Sequence, residues 1–168
     1  NDWDINFRAS KAWSQEIAKL ITSERKIDCF TLNVGPVCNE IEAHNRKYWD
    51  TLASSLYASV LADVASVDKF VQEARRTLQV QPQSLDQVGE AHTHYIEVTQ
   101  KALQMQEVVE EVQRKNRTLA SWTKEKIEQV SALTVTWDNF QSQLSNQQYL
   151  IGKQVETMKN NLMTSVDS

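Results

Sequence analysis

Three histidines, two cysteines and a run of charges between Glu107 and Arg117 are the residues whose chemistry could reach beyond packing. His92 and His94 stand two apart, so on a helix they project to different sides and cannot share a metal ion. With His44 they complete the histidine inventory, and none lies in an H-E-x-x-H or C-x-x-C arrangement. Cys29 and Cys38 have no Lys, Arg or His beside them to activate a thiolate, and read as small core residues. Two cysteines are too few for a disulfide scaffold, which makes a reducing compartment the default. The glycines, Gly35, Gly89 and Gly152, are isolated, so no phosphate-cradling loop of the G-x-x-x-x-G-K-S/T or G-x-G-x-x-G kind exists. The sequence therefore assigns no catalytic, cofactor-binding or metal-ligating residue. The charge run Glu107, Glu110, Glu111, Arg114, Lys115 and Arg117 reads as a solvated helix face. Glu110–Arg114 and Glu111–Lys115 are its expected i,i+4 pairs. Its functional reading is a docking patch for a partner.

These residues must be held by long elements. The chain has 168 residues, 40% of them apolar and 24% charged, with three Gly and two Pro. That is one domain's worth of sequence, enough to bury a core. So few turn residues exclude an all-β fold and an α/β fold with many short connections. A net charge of −4 argues against nonspecific nucleic-acid binding and a polybasic membrane patch. No run of eighteen apolar residues marks a membrane span. The opening Asn1-Asp2-Trp3-Asp4 has no initiator Met and no signal-peptide pattern, and reads as part of a longer protein.

Trp3, Ile5 and Phe7 alternate like a strand, whereas Ala9 onward reads as a helix through Ser23. Its expected buried face is Trp13, Ile17, Leu20 and Ile21. Ile27 to Val34 is rich in β-branched and aromatic residues and ends at Gly35-Pro36, which predicts one strand. Its pairing partner is either Trp3–Phe7 or a part of the chain outside this sequence. Pro36 suits the first position of a helix. From there an apolar line runs through Val37, Ile41, Tyr48, Leu52 and Leu56. It continues through Tyr57, Val60, Val64, Val67, Val71, Ala74 and Leu78, giving a helix roughly 60 Å long. Gln81-Pro82-Gln83 ends it, and Ser84-Leu85-Asp86-Gln87 fits a capping box. The next seam is Val88, Ala91, Tyr95, Val98, Ala102, Met105, Val109, Val112, Asn116 and Leu119, a 3-4 repeat over about four heptads. Its register fails near Ala120–Thr123, which reads as a turn with Thr123 as N-cap or as a bend. A new seam follows at Ile127, Val130, Leu133, Trp137, Phe140, Leu144, Ile151, Val155, Met158 and Leu162. Trp49 and Trp137 read as indoles buried between helices, and Trp122 as the most exposed tryptophan.

The fold predicted is all-α: an elongated antiparallel bundle of three long helices, with a short N-terminal helix and one β-strand. Residues 1–35 form the N-terminal helix and strand. Residues 36–168 form the bundle, with helices at about 36–79, 85–119 and 123–166.

Several segments resemble dynein heavy-chain tails, in order along nearly the whole chain. Asn6-Phe7-Arg8-Ala9 is similar to an "N-F-K-A" opening. Ile27-Asp-Cys-Phe-Thr-Leu-Asn33 with Gly35-Pro36-Val37 resembles a short strand leading through proline into a long helix. Pro82 to Ala91 resembles "P-x-S/T-V-E-E-I-G-E-A-N", and Lys115-Asn-Arg-Thr-Leu119 resembles "K-N-R-x-L". Trp137-Asp-Asn-Phe140, Asn146 to Ile151 and Gln154 to Lys159 are similar to "W-D-K-F", "N-H-Q-x-x-I" and "Q-I-E-x-M-K". Within the family the strand and the Gly89-Glu90-Ala91 turn are most similar to the intraflagellar-transport class, cytoplasmic dynein 2. There are departures: Ala120 to Glu125 stands where relatives have a glycine-rich break, Asp86 and Gln87 replace paired glutamates, and His92 replaces an Asn.

The resemblance implies a non-catalytic segment at the C-terminal part of the tail, before the linker to the motor ring. It implies ATP and Mg only in a motor domain not present here, and microtubule contact only through that part. It implies as partners another heavy chain, intermediate, light-intermediate and light chains, and intraflagellar-transport particles. Neither nucleic acid nor membrane is expected. The location implied is cytoplasm, cytoskeleton and cilium. Two other readings stay open: a spectrin-like cytoskeletal linker, and a helical adaptor that binds a partner through Glu107–Arg117.

Overall fold

The computed structural model describes residues 1–22, 25–27 and 29–166. Four helices and a two-stranded hairpin follow one another: α1 (Asp2–Ile21), β1 (Arg25–Ile27), β2 (Phe30–Leu32), α2 (Gly35–Leu78), α3 (Leu85–Thr123) and α4 (Glu128–Val166). The protein is all-α in class, as its shortage of glycine and proline predicts.

The first correction concerns the N-terminus. Trp3, Ile5 and Phe7 lie in α1, not in a strand, and the helix is 20 residues long rather than short. The Asn1 side chain accepts from the Trp3 N–H at 3.2 Å, satisfying one of the donors a helix start leaves orphaned. Asp2 and Asp4 add negative charge where the helix dipole is positive. These local effects outweigh a three-residue alternation. The predicted end at Ser23 lies outside the described residues.

The predicted single strand is instead a hairpin. Arg25 pairs with Leu32, Lys26 with Thr31 and Ile27 with Phe30, antiparallel. The strand's partner is thus the segment just before it. The connection contains Asp28, which lies outside the described residues. Next, the Gly35 N–H donates to Asn33 Oδ1 at 3.0 Å and the Cys38 N–H to the Val34 carbonyl at 3.0 Å. Pro36, which has no N–H, adds no orphan donor there.

The turn between α2 and α3 forms as read, with one shift. The Gln87 N–H donates to Ser84 Oγ at 3.3 Å, while Gln87 Oε1 accepts from the Gln83 N–H at 2.8 Å, one residue earlier than a strict capping box. The α3–α4 joint falls later than expected. Thr123 is the last residue of α3, not the N-cap of α4, and its hydroxyl donates back to the Leu119 carbonyl at 2.7 Å. Lys124 turns the chain with φ of 61°, and its N–H donates to the Ala120 carbonyl at 3.0 Å. This is a left-handed helix stop, a position that glycine usually takes. The break is a true turn made without glycine.

The contacts group the chain into two compact units. One holds Asn1–Val60 and Lys115–Lys126; the other holds Leu61–Arg114 and Ile127–Ser168. In the second unit the predicted seams are the core. Val64, Val67, Val71 and Ala74 of α2 are buried, with Val88, Val98, Ala102, Val109 and Val112 of α3. From α4 come Ile127, Val130, Leu133, Trp137, Phe140, Leu144 and Ile151. Beyond Ile151 the seam thins: Val155 and Met158 are half-buried and Leu162 is exposed. The first unit departs further from expectation. Its α1 core is Phe7, Ser10 and Ile17, while Trp13, Leu20 and Ile21 are exposed. At the start of α2 the buried line is Cys38 and Asn45, with Trp49 half-buried, one residue on from Val37, Ile41 and Tyr48, which are exposed.

Candidate functional site

Three surfaces and clusters could carry a role, and each is built by identifiable residues. The first is polar and lies between α1 and α2. Ser10 Oγ donates to Asn45 Oδ1 at 2.9 Å, and Asn45 Nδ2 donates to the Ser10 carbonyl at 3.0 Å. One turn away Ser14 Oγ donates to Glu42 Oε1 at 2.7 Å, and Glu42 Oε2 is buried without a hydrogen-bond partner. Ser10 and Asn45 are both buried, and their reciprocal bonds are what make that burial tolerable. A cavity of about 240 Å³ adjoins them, lined also by Lys11, Arg46 and Trp49.

The second is the aromatic cluster of the same unit. Phe7 meets Trp49 edge-on at 4.9 Å between ring centroids and stacks on Trp122 at 6.0 Å. Trp122 Nε1 donates to Asp4 Oδ1 at 2.8 Å, and Lys11 Nζ lies 5.7 Å from its ring. Trp122 is therefore half-buried and anchored, contrary to the expectation that it is the most exposed tryptophan. That place goes to Trp13, 60% exposed. Trp13 and Leu20 of α1 face Ile41 and Tyr48 of α2 across an apolar groove of about 440 Å³.

The third is in the other unit. A groove of about 750 Å³ runs between α3 and α4, lined by Leu85, Val88, Gly89, His92, Tyr95, Gln148, Ile151, Gly152 and Val155. His94 lies instead in a depression with Thr77, Pro82 and Gln147, and its Nδ1 is 3.7 Å from Glu97. The two histidines thus face separate depressions, as their spacing requires. His44 pairs with Glu40 at 3.5 Å. Among the described residues no three His, Cys, Asp or Glu side chains gather as a metal site. No helix among them is long and apolar enough to cross a membrane.

The charge run is largely engaged within the chain. Arg114 meets Glu111 at 2.8 Å, and Glu110 accepts from Gln106 Nε2 at 2.9 Å. Lys115 Nζ donates to Ser59 Oγ at 2.9 Å. Of the cysteines, Cys38 is buried as read but Cys29 is exposed. Trp137 is buried as read, with Nε1 donating to Gln106 Oε1 at 2.6 Å, a bond that Gln141 Nε2 shares from 3.0 Å.

Hydrophobic periodicity misses the polar contact because it scores serine, asparagine and glutamate as solvent-facing. A signal was present: Phe7, Ser10, Ser14 and Ile17 keep the 3-4-3 spacing of a buried face. The α3–α4 groove left a fainter trace, namely that Gly89 and Gly152 fall within helices rather than at a helix end.

Compared with known proteins, residues 51–165 match the family described as "Dynein axonemal heavy chain 2/5/8 coiled-coil". The chain is 33% identical over 162 residues to the human protein named cytoplasmic dynein 2 heavy chain 1, covering 96% of this chain. To the protein of that name from the sea urchin Tripneustes gratilla it is 30% identical over 167 residues, 99% of the chain. To that from Chlamydomonas reinhardtii it is 29% identical, again over 99% of the chain. The chain spans 4% of the length of each of these relatives. No solved structure matches it.

Proposed function

Because the chain belongs to the dynein heavy-chain family, we propose that it is a non-catalytic, load-bearing segment of a heavy-chain tail. It joins the cargo- and subunit-binding part to the linker and motor ring of a minus-end-directed microtubule motor working in intraflagellar transport. The observation that carries this reading is that α2 and α3 are single uninterrupted helices of 44 and 39 residues. Every interior residue of such a helix is tied to the next turn by its backbone ladder. Around it, buried seams brace the helix laterally. In this reading α2, α3 and α4 form an antiparallel bundle that carries the load, with residues 1–35 as an N-terminal addition to residues 36–168.

The wider assignments rest on the family. ATP and Mg act in a motor domain outside these residues, and the microtubule is reached only through it. A second heavy chain, intermediate, light-intermediate and light chains, and intraflagellar-transport particles are the partners, in cytoplasm, cytoskeleton and cilium. The charged-face adaptor gains no support, since Glu110, Glu111, Arg114 and Lys115 are engaged within the chain.

The test uses the full-length heavy chain. An antibody to this segment should detect a very large polypeptide that pellets with microtubules and is released by ATP. Ser66→Pro, which breaks α2 in its interior, should leave microtubule-stimulated ATP hydrolysis intact and lower the stall force in an optical trap. An unchanged stall force would refute the load-bearing role. ATP-indifferent pelleting would refute the motor.

A further inference from the structure

The two glycines inside helices are unexplained by the chain's own fold. Glycine in a helix interior is weaker than alanine and is retained where the backbone needs positive φ or a close neighbour. Neither Gly89 nor Gly152 has positive φ, and a Cβ built on either meets nothing within 4 Å. Yet both line the same apolar groove between α3 and α4, beside Leu85, Val88, Ile151 and Val155. The apolar track continues off the end of the groove. α4 carries the spacing Ile151, Val155, Met158, Leu162, the same 4-3-4 rhythm as its buried Leu133, Trp137, Phe140, Leu144. The earlier set is buried, whereas Leu162 is 51% and Met163 71% exposed. A heptad seam built on one side only lacks its facing helix.

We propose that a further α-helix of the same polypeptide, outside these 168 residues, lies along the α3–α4 groove with its backbone close over Gly89 and Gly152. A groove bounded by two helices takes a third by ridge-into-groove packing, and two positions without a side chain let that helix approach closely. Its apolar residues would cover Leu85, Val155 and Leu162. The occupant is assigned to the same polypeptide because relatives matching nearly the whole chain are so much longer than it, the chain spanning 4% of them. A tethered segment meets the groove at a high effective concentration that a free partner lacks. The inference rests on the heavy-chain reading only in requiring that further chain.

The experiment places the photo-crosslinker benzoylphenylalanine at Gln148 or His92, which line the groove, and at exposed Asn139 as control, in the full-length heavy chain. Equal amounts of ¹⁵N-labelled and unlabelled chains are dissociated and reassembled together before irradiation, so that mixed-label dimers form. Expected are cross-links from both groove positions to one common segment outside residues 1–168, joining peptides of the same isotope label, with Asn139 not reaching it. Gly152→Trp, which fills the groove, should lower the yield from His92 at least tenfold, and Gly152→Ala, whose Cβ stands where the docked backbone passes, should lower it by a smaller but clear factor of about three. Cross-links between differently labelled chains, cross-links to another protein, or no groove-specific product would overturn the proposal. ATP-sensitive microtubule pelleting of the same preparations reads the motor assignment separately, so either can fail alone.

Discussion

Around Asn1–Val60 and Lys115–Lys126, cohesion comes from directional contacts: Ser10 with Asn45, Ser14 with Glu42, Trp122 with Asp4, and Phe7 between two indoles. In Leu61–Arg114 with Ile127–Ser168 it comes from aliphatic side chains at repeating 3-4 intervals, with one aromatic group of Phe70, Trp137 and Phe140 at 5.5–6.3 Å. A repeating apolar seam is almost as well satisfied after a slip of one heptad, because each knob finds a similar hole. A buried asparagine bonded to one serine has no second solution, since any slip strands its donors and acceptors. The first unit therefore spends stability on register, whereas the second draws its stability from the seam and fixes register at a few side-chain bonds, Trp137 and Gln141 to Gln106 and Gln113 to Thr134.

Sharp tests of this contrast begin with the apolar seam. Leu133→Asp or Val109→Asp places a carboxylate in the core of the second unit. The expected cost, on the order of 4 kcal/mol or more, abolishes the cooperative thermal melt. A melt that stays unchanged would mean that the seams are misplaced. Next comes Asn45→Ala, which leaves buried Ser10 unpaired and should cost about 1–3 kcal/mol in urea unfolding. Replacing both partners, Ser10→Ala with Asn45→Leu, should restore most of that stability while doubling amide resonances from α1 as registers mix. A single sharp set of resonances in the double variant would end the register argument. At the joint, Lys124→Gly relieves a left-handed residue and should raise stability by about 1 kcal/mol. A fall instead would show that the Lys124 side chain contributes more than its backbone strain costs. Smallest of all, Gln147→Ala should stay within about 0.5 kcal/mol of the parent.

How legible each unit is from sequence follows the same contrast. From Leu56 onward α2 is readable because every third or fourth residue is apolar, and the observed end at Leu78 lies one residue from the expected one. α3 and α4 are readable for the same reason, apart from the joint, where a lysine does the work of glycine and no breaker marks the turn. Before Leu56 the pattern misleads by one residue, selecting exposed Val37, Ile41 and Tyr48 over Cys38 and Asn45. A polar residue in a core announces itself only through its partner, and Ser10 is 35 positions away. Gly89 and Gly152 show the same limit: 63 residues separate them in sequence, and only folding reveals that they share a groove.

The tryptophans are also divided unevenly. Trp3, Trp13, Trp49 and Trp122 belong to the first unit and Trp137 alone to the second. Trp137 is buried and hydrogen-bonded, whereas Trp49 and Trp122 stand edge-to-face at 6.1 Å. The protein thus carries two intrinsic optical channels. A coupled indole pair gives near-ultraviolet circular dichroism that reports on the first unit, and a shielded, blue-emitting indole reports on the second. Following both signals through one titration would resolve which end of α2 lets go first, with no label added.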